Sequence, residues 1–281
     1  MRDYNAMIEL IKQIALKQTA VRAVVMNGSR VLEPSKDRYQ DYDIVYFVDD
    51  FDGFIGCGDW LDDFKDRLMM HTTDDMVFHP AHFRNAKMYQ MLFKDENRID
   101  LLVRPTDLFE RHVHENRNYK VLLDKDGLSK DAPPSSVAHF SVGKPSESVF
   151  GSCVKEALWV MPYVAKGLCR DEKLYALEHL AHIRENLKAL LRWRAGVEDG
   201  FDIILKKASD DLGLHIDSSL MDRYFQTYVE ADKAQIWDAL FIVLSMTEET
   251  ARYVAKELDF PDNLEPVEAL GDYLKSLRKE C

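Results

Sequence analysis

Apolar residues recur with a helical period at the start of the chain, where Ile8, Ile11 and Ala15 fall on one side of residues 5–17. The period then shortens. Ala23–Met26 and Ile44–Val48 are short runs rich in β-forming residues. "WLDDFKDRL" at 60–68 predicts a helix, and "MYQMLFKDENRIDLLV" predicts two strands joined by a turn at Asp95–Asn97. Pro105 opens "PTDLFERHVH", a first-turn proline followed by a helical pattern. The glycines of "GFIGCG" follow Asp49, Asp50 and Asp52 and miss the dinucleotide-binding spacing, so this stretch reads as a mobile loop. Beyond the Gly-, Pro- and Ser-rich segment "KDGLSKDAPPSSVAHFSVGKPSES" the pattern is almost wholly helical, with helices expected at 146–168, 171–195, 218–229, 232–258 and 265–278. The pattern therefore predicts an N-terminal half of strands and helices over residues 1–135, followed by an α-helical bundle over 136–281.

Composition narrows the function. The chain has 281 residues, 46% of them hydrophobic, long enough for two domains with separate cores. Its 49 acidic and 37 basic residues leave a net charge of −12, a poor surface for gripping a nucleic-acid backbone. No apolar run is long enough to span a bilayer and the charged N-terminus lacks a leader pattern, so a cytoplasmic protein with no membrane or nucleic-acid partner is expected. Cys57, Cys153, Cys169 and Cys281 form no CxxC pair and are expected to be reduced thiols. GxxxxGK[ST], HExxH and GxSxG are all absent.

The candidate chemistry lies in "MNGSRVLEPSKDRYQDYDIVYFV". Asp41 and Asp43 stand two residues apart entering a strand, so their carboxylates share one face, about 6.5–7 Å apart along the chain. Like charges so placed repel one another until a divalent cation lies between them, and Mg²⁺ suits such oxygen donors. Asp100 sits within the apolar frame of Ile99, Leu101 and Leu102 and adds a third carboxylate if its strand pairs beside the first. Gly28 and Ser29, leaving the preceding strand, offer backbone N–H groups and a hydroxyl to a phosphate.

These residues carry a family resemblance. "NGSR" followed by "DYDIVYF" and "RIDLLV" resembles the nucleotidyltransferase superfamily of the DNA polymerase β type, and "NGSR…YQDYDIVYFV", "WLDDFKDRLMM", "VLLDKDG" and "YVAKGLCRDEKLYALEHL" resemble the aminoglycoside 6-adenylyltransferases that inactivate streptomycin. The resemblance runs from the first helix into the helical half and weakens after about residue 200. It implies an α+β fold, an antiparallel-containing mixed β-sheet with helices followed by an α-helical domain, and transfer of AMP from MgATP to a drug hydroxyl with release of pyrophosphate; a monomer is expected, with an oligomer left open. Asp41 and Asp43 would be metal ligands, Asp100 either general base or third ligand, and Gly28, Ser29 and Arg30 neighbours of the triphosphate. The runner-up is an enzyme of the same superfamily acting on another antibiotic or a protein side chain; a non-catalytic nucleotide-binding module is the alternative of a different class.

In the helical half, Glu156, Trp159, Tyr163 and Lys166 form one stripe. Trp159 and Tyr163 suit either domain packing or contact with adenine or drug. Lys166 matches a family position and suits either a phosphate contact or a solvated surface. Glu178 matches an acidic position of the family and could pair with a guanidinium of streptomycin; Glu156 and Glu185 are further acidic candidates on helix faces that solvation alone could explain. His179 and His182 lack a third soft ligand nearby and read as ordinary helix residues.

Overall fold

The computed structural model describes residues 1–32, 37–80, 85–136, 141–205 and 211–281. The chain divides into two compact units, Met1–His139 and Phe140–Cys281. Residues 137–140 of the Pro- and Ser-rich segment lie outside the described residues.

The first unit is built on a six-stranded mixed sheet. Its strands are β1 (Val21–Asn27), β2 (Tyr42–Val48), β3 (Arg67–Thr72), β4 (Lys87–Phe93), β5 (Arg98–Pro105) and β6 (Tyr119–Asp124), in the spatial order β3-β4-β5-β2-β1-β6. β2 and β5 run parallel, and the other neighbours are antiparallel. Helix α1 (Tyr4–Lys17) starts at Asp3, whose carboxylate accepts the Ala6 N–H at 2.8 Å, and buries Met7, Ile11, Ile14 and Ala15. On this side of the sheet it joins Val24 and Met26 of β1, Tyr42, Ile44, Tyr46 and Val48 of β2, and Ile99, Leu101 and Val103 of β5 in one core. The buried Tyr46 hydroxyl is satisfied by donating to the Ile11 carbonyl at 2.6 Å. The opposite face carries Ala23, Val25, Val45 and Phe47, covered by Phe109 and Val113 of α4 (Phe109–Glu115). β2 is thus apolar on both sides because it is central, and Asp43 alone interrupts it.

Two local expectations are corrected, and one strand is added. "GFIGCG" is not a loop: residues Phe51–Cys57 form helix α3, whose N-cap Asp50 accepts the Gly53 N–H and which ends where Gly58 turns left-handed at φ 67°. The helix expected at 60–68 is a short 3-10 turn, Asp59–Asp63, followed by β3. Trp60 and Phe64 have the spacing of a helix face, yet one turn suffices to bury both, and the chain then pairs with β4. β6, which no pattern singled out, pairs with β1 and closes that edge of the sheet.

The second unit is helical: α5 (Glu147–Cys169), α6 (Lys173–Asp199), α7 (Ser218–Phe225), α8 (Lys233–Leu258) and α9 (Val267–Glu280). These bounds agree with the expected helices to within a few residues, because each helix has an unbroken apolar stripe and three begin at a side-chain N-cap: Ser146, Asp217 and Asp232. Phe150, Leu158, Leu187, Leu191, Trp237 and Val243 belong to its core. The expectation of four reduced thiols is also corrected, since Cys169 and Cys281 form a disulfide. They lie 112 residues apart in sequence, and only the packing of α9 against α5 brings them together. Among the described residues no helix is long and apolar enough to cross a membrane.

Candidate active site

Strand register gathers the acidic residues of the first unit. In the parallel pair, Asp43 of β2 is the partner of Asp100 of β5. Gln90 of β4 lies across from Asp100 on its other side, and Asn27 of β1 lies across from Asp43. Gln90, Asp100, Asp43 and Asn27 therefore form a row across four strands. Because side chains alternate along a strand, this row shares the face of Val45 and Phe47, away from α1. Asp41, two residues before Asp43, belongs to the same face.

The turn after β1 presses against this row. Gly28 has φ +77°, and a β-carbon placed there would lie 1.9 Å from Oδ2 of Asp43, so the position requires glycine on two counts. Its carbonyl accepts the Val31 N–H at 3.2 Å and the Asn118 side-chain amide at 2.8 Å. Ser29 opens the four-residue helix α2 (Ser29–Leu32); it is exposed, and its hydroxyl accepts from the Gln40 amide at 3.2 Å. Arg30 is buried: its Nε donates to the carbonyls of Gln40 and Asp41 at 3.2 and 3.1 Å, and its guanidinium lies 4.0 Å from the centre of the Tyr42 ring. In this arrangement Arg30 holds the entry to β2, and so the backbone that carries Asp41 and Asp43.

A cation of the chain lies among the carboxylates. Nε of Arg98 donates to Oδ1 of Asp100 at 2.9 Å, and Nη2 to Oδ2 at 3.0 Å, a bidentate pair. Nη1 of Arg98 is 3.7 Å from Oδ2 of Asp41. The Gln90 amide donates to Oδ2 of Asp100 at 3.1 Å, which engages both oxygens of that side chain. Partial burial holds the Asp41 carboxyl above its ordinary range, against the lowering effect of Arg98, and the nearby Asp100 adds to the rise. Among the described residues no group of three or more His, Cys, Asp or Glu side chains is gathered closely enough to hold a metal ion. The donor type nevertheless fits a hard divalent cation, since the oxygens of Asp41, Asp43 and Asp100 are carboxylate oxygens on one face.

A buried polar network supports the turn. Asn27 donates through its amide to the Asn118 carbonyl at 3.0 Å and accepts from Nε2 of His112 at 2.9 Å. The Nδ1 of His112 faces Nη1 of Arg104 at 3.1 Å and must be an acceptor, which makes the ring neutral with its proton on Nε2. Burial first, and the Arg104 charge second, push the His112 pKa down to about 4.

Sequence reasoning singled out none of Arg98, Gln90, His112 and Asn118. Arg98 carried a readable signal, since it precedes Asp100 by two in "RIDLLV" and so shares its face. The others depend on strand register and tertiary packing.

In the second unit, Glu156 and Tyr163 of α5 and Glu178 of α6 line one cleft of about 380 Å³ together with Val160, His179 and His182. Nε2 of His182 meets Oε1 of Glu156 at 3.1 Å. His179 lies against the rings of Tyr163 and Tyr175 and donates from Nδ1 to the Tyr175 carbonyl at 2.8 Å. Trp159, 69% exposed, points instead into a larger cavity of about 950 Å³ that Glu156 also lines, with Glu147, Asn263 and Glu265. Lys166 is exposed near the end of α5, and Glu185 is exposed on α6, paired with Lys188 at 2.8 Å.

Known proteins define what kind of molecule carries this arrangement. The chain is 30% identical over 262 residues to an aminoglycoside 6-adenylyltransferase of Campylobacter jejuni, covering 92% of this chain and 91% of that one. It is 33% identical over 210 residues to an aminoglycoside 6-adenylyltransferase of Staphylococcus aureus, covering 74% of each. The crystal structure of an aminoglycoside 6-adenyltransferase from Bacillus subtilis is similar to it at 26% identity over 99% of both chains, with a TM-score of 0.47. The protein is an enzyme of the nucleotidyltransferase class. A family model described as streptomycin adenylyltransferase matches residues 1–277, and the chain belongs to that family.

Proposed function

We propose that this enzyme transfers AMP from MgATP to the 6-hydroxyl of streptomycin and releases pyrophosphate. The observation that carries the reading is the pairing of Asp43 with Asp100 on adjacent parallel strands, beside the Gly28–Ser29 turn. In the reaction the drug oxygen attacks the α-phosphorus of ATP, the bond from that phosphorus to the bridging oxygen breaks, and the electron pair leaves with pyrophosphate. The hydroxyl proton passes to a carboxylate, for which Asp100 is the candidate. Asp41 and Asp43, with or without Asp100, would hold Mg²⁺. When bound, the ion supplies charge neutralisation and aligns the triphosphate.

The remaining candidates divide between nucleotide and drug. The Gly28 and Ser29 backbone and the Ser29 hydroxyl suit a phosphate, and Arg30 contributes by holding the residues on which Asp41 depends. Lys166 is a candidate phosphate contact. The cleft with Glu156, Tyr163 and Glu178 has two carboxylates and aromatic faces, which suits the planar guanidinium groups of streptomycin. Trp159 offers an exposed indole to an apolar part of drug or adenine.

The test is to incubate the enzyme with MgATP and a panel of aminoglycosides. Streptomycin should gain one AMP, with one pyrophosphate released per product, NMR should place the group at position 6, and kanamycin-type drugs without guanidinium groups should react poorly. Glu178→Gln should raise KM for streptomycin by about tenfold and leave KM for ATP nearly unchanged. Modification of kanamycin but not streptomycin would overturn the assignment of the drug.

A further inference from the structure

Arg98 stands where the proposed chemistry needs a removable cation. Both oxygens of Asp100 are engaged, by the Arg98 fork at 2.9 and 3.0 Å and by Gln90 at 3.1 Å. The same guanidinium reaches toward Asp41 at 3.7 Å. While these contacts last, Oδ2 of Asp100 has both lone pairs taken and Oδ1 one of its two, and the adjacent guanidinium charge opposes the arrival of a proton or a metal ion. Asp100 is only 18% exposed, whereas Arg98 is 42% exposed and has room to turn outward on its long side chain. A guanidinium fork fits phosphate oxygens as well as it fits a carboxylate.

We infer that Arg98 is a built-in counter-cation and a positioning residue: it neutralises the carboxylate face of the free enzyme and must release Asp100 and Asp41 before a divalent ion is held there. It therefore makes metal entry depend on nucleotide. In the free enzyme the guanidinium and the ion compete for the same carboxylates, and the apparent metal affinity is reduced by the fraction of molecules in which Arg98 is paired. A bound triphosphate removes that competition by offering Arg98 other oxygens. The inference rests on the reading of Asp41, Asp43 and Asp100 as a metal-holding set.

Mn²⁺ binding, measured by calorimetry or by the electron paramagnetic resonance of the free ion, tests this without turnover. In the absence of nucleotide, Arg98→Gln should bind Mn²⁺ about tenfold more tightly than the wild type, the equivalent of one partly exposed charge-assisted pair. Arg98→Lys, which keeps the charge and loses the fork, should fall between them. With Mn²⁺ bound by the analogue alone subtracted from a protein-free titration, the gain in Mn²⁺ affinity produced by a saturating non-hydrolysable ATP analogue should be smaller in Arg98→Gln than in the wild type. Asp43→Asn should abolish binding in every background, which locates the ion. If both Arg98 variants bind Mn²⁺ no more tightly than the wild type while Asp43→Asn abolishes binding, the counter-cation role is overturned and the metal site stands. If neither wild type nor variants bind Mn²⁺, with or without the analogue, the metal site is overturned and the role of Arg98 with it.

Discussion

At the scale of single residues, one glycine and one aspartate constrain each other. Gly28 takes a left-handed backbone, and its missing side chain leaves the space that Oδ2 of Asp43 fills. Gly28→Ala should therefore cost about 1–3 kcal/mol from backbone strain alone and also push Asp43 out of its row. Turnover should fall by roughly a hundredfold, in line with a 1 Å misplacement near the chemistry. Steady-state rates and a urea unfolding curve check both halves; a variant with wild-type rates would show that the Asp43 position does not matter. Asp41 and Asp43 were legible as a pair because alternation along a strand is local. That Asp100 is the register partner of Asp43 was not legible, since a parallel pairing has no turn to fix its register. The same alternation puts Arg98 on the face of Asp100, but an arginine two residues before an aspartate on a strand has the pattern of an ordinary surface ion pair.

At the scale of elements, α4, β1 and β5 are tied together by one neutral histidine. His112 accepts from Arg104 and donates to Asn27, so a second proton on its ring would set one N–H against another. Its pKa of about 4 in the folded state lies below the 6.5 of an unperturbed imidazole. Between these values the unfolded chain binds a proton that the folded protein refuses, so stability falls as pH drops from about 6.5 to about 4 and this contribution is complete above 6.5. The share amounts to about 3 kcal/mol. His112→Gln should flatten the pH dependence of the unfolding free energy in that window, and an unchanged slope would show that His112 is not the group responsible. Elements with a long, regular apolar stripe, such as α1, α5, α6 and α8, were legible because burial of the stripe alone accounts for them. α3 leaves no such trace, because its stability comes from a side-chain cap at Asp50 and the burial of Phe54 against Trp60, neither of which appears in periodicity.

At the scale of the whole molecule, each unit has its own core, and the second is further closed on itself by the Cys169–Cys281 disulfide. A loop of this length constrains the unfolded chain by about 4–5 kcal/mol in the entropic limit. In the unreduced protein only Cys57, which is exposed, should react quickly with a thiol reagent, because burial pushes the Cys153 thiol up to about 12. Mild reduction should release two more thiols and lower the unfolding midpoint of the native protein, while leaving that of Cys281→Ser unchanged. Three fast thiols before reduction would contradict the pairing. Distant pairings of this kind leave no trace in cysteine spacing. The proposal that the carboxylate face of the first unit drives adenylyl transfer to streptomycin is tested most directly by one comparison: wild type and Asp43→Asn side by side with MgATP and streptomycin, following pyrophosphate release and product mass, with unfolding midpoints measured on the same samples. The wild type should give streptomycin heavier by one AMP, and the variant should lose roughly a thousandfold in rate at an undiminished midpoint. Near wild-type production of adenylylated streptomycin by a folded Asp43→Asn would contradict it.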